Sequence, residues 1–97
     1  VFYIYILYSI SSDKYYVGYT NDFRRRLLEH NTSERDTYTS KHRPWLIKAV
    51  FECGLVESNA MKTERFIKKQ KSRKFIERLC DSSFILTGSL AQLLRVF

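Results

Sequence analysis

Residues 1–30 read VFYIYILYSISSDKYYVGYTNDFRRRLLEH, and this stretch decides the fold. Residues 2–8 alternate: Phe2, Ile4 and Ile6 point one way, Tyr3, Tyr5 and Leu7 the other, which is the period of a strand. Ser11-Ser12-Asp13 is turn chemistry. A second β-rich run follows from Tyr15 to Thr20, with Tyr16 and Gly18 on one face and Tyr15, Val17 and Tyr19 on the opposite one. The pair reads as an antiparallel hairpin. A register that pairs position 5 with position 16 makes Tyr5 and Tyr16 direct cross-strand neighbours. Gly18 interrupts the second strand, which marks either a close approach to the backbone or a bulge.

Thr20-Asn21-Asp22 supplies capping side chains ahead of a helix that begins at Phe23. At 100° per residue Phe23 and Leu27 define its apolar direction, and Arg26 and His30, four apart, run along the edge of that stripe. Arg24 and Arg25 point elsewhere. Two phenols and a guanidinium are thus brought within reach of one another, a combination suited to phosphate chemistry.

Beyond this stretch, residues 31–43 are polar and loop-like. Pro44 precedes a third strand from Trp45 to Phe51, closed by Gly54. Helical periodicity runs from Val56 to Lys71 and again from Arg73 to Cys80. After Asp81-Ser82-Ser83 the signal weakens, and residues 89–95 are expected to form a short amphipathic helix of unassigned role. These elements predict an α+β domain over residues 1–80, a small three-stranded antiparallel β-sheet flanked by helices, with a C-terminal tail over 81–97.

The length allows one core and not two. No apolar run approaches the roughly 18 residues of a membrane span, and the opening segment reads as a strand and not a signal peptide. Cys53 and Cys80 show neither metal-ligand spacing nor a disulfide pattern, so both are expected as buried or half-buried free thiols, which points to the cytoplasm. The two His residues are likewise too far apart for a zinc site. Net charge is +7. Between Lys62 and Arg78 eight basic side chains face two acids, an excess of six. Clustered positive charge suits a polyanion partner, and it also suits a solvated helix face.

One residue disturbs the second helix. Val56, Ala60 and Ile67 share an apolar stripe, and Glu64 sits in its middle. A carboxylate there is costly unless a metal ion, an arginine or a set of hydrogen bonds compensates it. The plainer reading is a residue at the stripe edge paired with Lys68, four positions on.

The two tripeptides YIY (3–5) and YVG (16–18), an Arg eight residues after the Gly of the second, a His one turn later and a Glu within AMKTERFIKKQKS (60–72) together resemble the GIY-YIG endonuclease family. YTSKHRPW (38–45) further resembles its small single-domain branch. The likeness covers roughly residues 2–79. Tyr3 stands where the first Gly of the name motif falls, and Tyr19 where some members carry Lys.

The resemblance implies a metal-dependent endonuclease that hydrolyses DNA phosphodiester bonds, with Mg²⁺ or Mn²⁺ as cofactor. Its choice of substrate is expected to be structure-directed or weakly sequence-specific, in DNA repair or recombination. DNA is the expected partner, RNA stays open, no membrane is involved, and a protein partner could supply specificity. Tyr16 is favoured as general base with Tyr5 orienting the water or phosphate, although the reverse assignment stands close behind. Arg26 would bind the phosphate oxygens, His30 would position the water or relay a proton, and Glu64 would hold the metal. Each has a plainer alternative: Tyr5 covering a sheet face, His30 on a helix surface, Arg26 paired with Glu29 or Glu34. Lys68, Lys69, Lys71 and Lys74, extended by Lys41 and Arg43, would grip phosphates. Two rival readings are a catalytically weak nucleic-acid-binding module and a nuclease subunit that needs a partner.

Overall fold

The computed structural model describes all 97 residues. Strands β1 (Tyr3–Ser9) and β2 (Lys14–Thr20) form the hairpin, followed by helix α1 (Phe23–Thr32) and a 3₁₀ turn (Thr39–His42). Then come β3 (Trp45–Glu52), α2 (Glu57–Lys69), α3 (Arg73–Cys80), a 3₁₀ turn (Gly88–Leu90) and β4 (Leu94–Arg95). The sheet is wholly antiparallel in the order β2-β1-β3-β4. The α+β architecture agrees with the expectation, with four strands in place of three.

β4 is two residues long, too short to leave any periodicity in the sequence. It forms because the tail is drawn onto the end of β3. Val96 N–H donates to Val50 O at 2.8 Å, and the Arg95 guanidinium lies 4.8 Å from the centre of the Phe51 ring. The expected helix over 89–95 is absent: a 3₁₀ turn and this strand replace it. Leu90 and Leu93 are buried by that path.

Strand alternation sorts the core onto two faces. Ile4, Ile6, Val17, Ala49 and Phe51 pack against Ala60, Ile67 and Leu79 of α2 and α3, and against Leu90 and Leu93 of the tail. Tyr5, Leu7, Trp45 and Val50 form a smaller cluster on the other face, covered by Phe23 and Leu27 of α1. Trp45 and Val50 share a face despite their odd separation. The pairing of β1 with β3 shifts between Ile6 and Leu7, and the extra residue, Lys48, reverses the alternation.

The hairpin register differs from the expected one. Tyr5 lies opposite Gly18, and Tyr16 opposite Leu7. The turn spans Ile10–Asp13 and is two residues longer than a register pairing 5 with 16 allows. Asp13 takes a positive φ of 53° and is held by Tyr8 Oη at 2.6 Å and by Arg73 of α3 at 2.5 Å. A two-residue slip keeps every side chain on its face, so the face assignments survive it.

The register also explains Gly18. No shift interrupts the β1–β2 pairing, so Gly18 is no bulge. The Tyr5 ring lies directly over it. A Cβ at position 18 would overlap Tyr5 Oη and Cζ and stand 2.9 Å from Cε1. Gly18→Ala should therefore push the Tyr5 ring out of its seat and cost roughly 1–3 kcal/mol of stability, the usual range for overpacking. Urea denaturation measures this; an unchanged midpoint would mean the ring does not occupy that space.

Candidate active site

Tyr5 projects from β1 and Tyr16 from the edge strand β2, on the face covered by α1. The first turn of α1 is fixed by Asp22, whose Oδ1 accepts from Arg25 N–H at 3.0 Å. That cap sets the phase of the helix and places Arg26 and His30, one turn apart, over the two phenols. Ring centres lie 6.3 Å apart for Tyr5 and Tyr16, 5.8 Å for Tyr5 and His30, and 5.0 Å for Tyr16 and His30.

His30 is 4% exposed, so it is not a surface helix residue. Nε2 lies 2.9 Å from Tyr5 Oη and Nδ1 lies 2.9 Å from Thr39 Oγ1. Burial pushes its pKa down to about 4, with the Arg26 charge adding to the effect. The ring is neutral at physiological pH and carries one N–H. The Arg26 guanidinium also acts on the Tyr5 phenol. A phenol oxygen with a cation nearby points its proton at the acceptor, which assigns that proton to Nε2 and makes Nδ1–H the donor to Thr39 Oγ1. Burial, with the Tyr16 phenol adding, pushes Tyr5 ionisation well above the usual phenol range, and Arg26 opposes the rise. Tyr5 is 2% exposed. Tyr16 is half-buried and opens onto the surface cleft.

Arg26 is half-buried and pairs with Glu29 at 3.0 Å, the neighbour that its plainer reading named. It nevertheless lines two adjoining cavities. One, of about 490 Å³, is bounded by Tyr5, Tyr16, Gly18, Arg26, Glu57 and Glu64. The other, of about 480 Å³, lies toward the loop after α1 and shares Tyr16 and Arg26 as walls. Glu64 reaches the first cavity from α2, which packs on the opposite face of the sheet, around the β2 edge. Its side chain is 19% exposed, and Oε1 meets Lys68 Nζ at 2.9 Å. Glu64 is therefore paired with Lys68, as its plainer reading has it, and it also lines the cleft with Tyr5, Tyr16 and Arg26.

The expected basic surface divides. Lys41, Lys69, Lys71 and Lys74 are exposed and form no ion pair. Lys68 spans Glu64 and the Tyr16 ring, 5.4 Å from the ring centre. Arg43 departs from the expectation. Its guanidinium turns inward and donates to His30 O at 2.6 Å and Ser33 O at 2.5 Å, closing the loop 33–44 onto the end of α1.

Three contributors had no role assigned from the sequence. Thr39 is 6% exposed and holds His30 Nδ1. Asn31 bridges α1 to β3: Trp45 N–H donates to Asn31 Oδ1 at 2.7 Å, and Asn31 Nδ2 donates to Trp45 O at 3.1 Å. Tyr38 stands beside Tyr16 on the wall of the second cavity. All three act through contacts between distant segments. The one local hint was the concentration of Tyr, Thr, His and Trp in residues 38–45.

No three His, Cys, Asp or Glu side chains are grouped to hold a metal ion. A hard divalent ion bound through one or two carboxylates, water and substrate phosphate requires no such group. Glu64, whose Oε1 meets Lys68, lines a polar cleft that also includes Glu57, about two turns earlier on α2, where Tyr19 Oη donates to it at 3.1 Å, and one such carboxylate fits that mode.

The domain is of a nuclease type: residues 1–77 match the family model described as the GIY-YIG catalytic domain. The chain belongs to the GIY-YIG family, in the small single-domain branch that its relatives represent. It is 36% identical over 70 residues to a UPF0213 protein of Streptococcus pneumoniae serotype 4, covering 71% of this chain and 68% of that protein. A UPF0213 protein of Listeria welshimeri is 40% identical over 77 residues, covering 74% of this chain and 83% of the relative. One from Haloquadratum walsbyi is 38% identical over 73 residues, covering 74% and 79%. The nuclease domain implies a nucleic-acid substrate and hydrolase chemistry, and GIY-YIG nucleases generally use divalent metals. No helix is long and apolar enough to cross a membrane. Cys53 is a buried free thiol and Cys80 a half-buried one.

The neutral His30 carries a linkage. The unfolded ring takes up a proton near pH 6.5 and the folded ring only near 4. Its contribution is complete above pH 6.5 and is lost as pH falls to about 4, by roughly 3 kcal/mol at full extent. Urea midpoints of wild type and His30→Gln should converge over that window, and curves that stay parallel would place the ring in water.

Proposed function

We propose that this protein is a metal-dependent endonuclease that hydrolyses DNA phosphodiester bonds, structure-directed or weakly sequence-specific, in DNA repair or recombination within the cytoplasm. One observation carries the reading. Tyr16 from a strand, Arg26 from the helix on one face and Glu64 from the helix on the other line a single cleft.

Arg26 binds the non-bridging oxygens of the scissile phosphate and meets the charge that accumulates on them. Tyr16, the phenol on the open side of the cleft, serves as base. It first gives up its own proton to solvent, and the phenolate, its charge met by Arg26 and Lys68, then takes the proton of the attacking water and returns to the neutral phenol. Tyr5 keeps its own proton on His30, so it positions the water or phosphate and does not act as base. Neutral His30 fixes Tyr5, and Thr39 fixes His30. Glu64 holds Mg²⁺ or Mn²⁺, which when bound there would stabilise the leaving 3′ oxygen. Lys69, Lys71 and Lys74 hold the backbone of the nucleic acid without reading bases. All these groups lie in residues 1–80, and the tail over 81–97 adds Leu90 and Leu93 to the core.

Supercoiled plasmid should be nicked with Mg²⁺ or Mn²⁺ and left intact in EDTA. Tyr16→Phe, Arg26→Ala and Glu64→Gln should each cost roughly 10²–10³ in rate, with melting temperatures close to wild type. Replacing Lys69, Lys71 and Lys74 with Ala should weaken binding to all sequences alike and flatten its salt dependence. Cleavage that survives both Arg26→Ala and Glu64→Gln would contradict this mechanism. Salt-sensitive binding with no cleavage under any metal would make the domain a binding module.

A further inference from the structure

We infer that the second cavity is a nucleobase subsite. It takes the unpaired base of the nucleotide next to the scissile phosphate, stacked on the ring of Tyr38. The inference rests on the nuclease reading for the position of that phosphate.

The first support is a large aromatic side chain left in the open. Tyr38 is 49% exposed, although it belongs to a cluster of rings that are otherwise well covered. His42 backs it at 4.8 Å between ring centres and Trp45 at 6.5 Å. Trp45 is itself anchored, with Nε1–H donating to Thr39 O at 2.8 Å. The Tyr38 side chain is thus held in place by its neighbours while about half of the residue stays open to solvent. It lies within 26° of parallel to Tyr16, at 6.4 Å between centres. An exposed, pre-positioned aromatic plane is what single-stranded nucleic acids stack upon, because every base has a π-face.

The second support is adjacency. The cavity shares Tyr16 and Arg26 with the catalytic cleft, so a ligand that fills both places a phosphate against Arg26 and its next polar-edged group beside Tyr38. In a nucleic acid that group is a nucleoside. The volume of about 480 Å³ lies within the range of ligand sites and leaves room for a base with its sugar. Ser33, Arg35 and Thr37 line the rim with hydroxyls and a guanidinium, groups that can meet a base edge of any identity.

A base seated there cannot also be paired within a duplex. The substrate class is therefore DNA with an unpaired nucleotide at the cut, and intact duplex would have to give up pairing energy to enter.

The test measures binding in EDTA by fluorescence anisotropy, using the full chain. The probes are labelled oligothymidylate and a strand of equal length built of abasic residues, which has the same charge and no bases. Wild type should bind oligothymidylate more tightly than the abasic strand. Tyr38→Ala should lose roughly tenfold on oligothymidylate, within the 1–3 kcal/mol of one base–aromatic stack, and nothing on the abasic strand. Tyr38→Phe should behave as wild type. Equal wild-type affinity for the two strands would overturn the subsite without any variant, so a poorly folded Tyr38→Ala leaves the question decidable. Equal losses on both strands, or a Tyr38→Phe loss as large as that of Tyr38→Ala, would also overturn it. Since no divalent ion is present, failure to cleave DNA does not enter this readout. Stacking without cleavage in Mg²⁺ would remove the nuclease reading and leave the subsite standing.

Discussion

The hydrogen bond between Tyr5 Oη and His30 Nε2, made over the bare backbone of Gly18, organises everything around it. It joins the central strand to α1, and it is possible only because position 18 has no side chain. Its burial keeps the imidazole neutral and the phenol protonated, so each ring nitrogen has one partner of the right kind. No buried side-chain nitrogen or oxygen in the molecule lacks a partner. A polar network this close to full satisfaction is rigid, and rigidity at Tyr5 and His30 holds Arg26 and Tyr16 in position beside them.

The division of labour between the two phenols follows from depth. Tyr5 pairs with Gly18 in the middle of the hairpin and is covered by α1. Tyr16, two residues before Gly18 on the edge strand, stays half open. The same residue type thus serves as structural donor in one place and as solvent-facing group in the other. Glu64 completes the arrangement from the far side of the sheet, which is feasible because β2 is an edge strand and α2 packs against it. A carboxylate in that position would be a liability in a core helix. Here Lys68 offsets part of its charge, and the side chain, 19% exposed, lines the cleft and is not sealed in the core.

Much of this was legible in residues 1–30. Period-two alternation gave the right face to residues 3–7 of β1 and 15–19 of β2, the capping signal fell on Thr20-Asn21-Asp22, of which Asp22 is the cap, and the i,i+4 spacing put Arg26 and His30 on one edge. Glu64 stood out as a carboxylate on an apolar stripe, and the structure takes that stripe to the core at Ala60 and Ile67, while Val56, at the N-cap of α2, is exposed. Other features depend on contacts between distant segments. The hairpin register turned on Asp13 and its hold by Arg73, sixty residues away. The Lys48 bulge depends on how β3 meets β1, and β4 on the tail reaching Val50. Arg43, an ordinary surface cation by sequence, became a staple only because two carbonyls of α1 and its exit lay in reach. Thr39 and Tyr38 gained their places from the same loop closure.

The most direct measurement is a crystal structure of the Glu64→Gln variant and of wild type, each with a short single-stranded oligonucleotide and Ca²⁺. The account predicts a phosphate against Arg26, with Tyr16 Oη on the side away from the 3′ oxygen. It also predicts an ion at Glu64 in wild type that is absent from the variant. A strand bound elsewhere on the molecule, or an ion indifferent to the change at position 64, would contradict it.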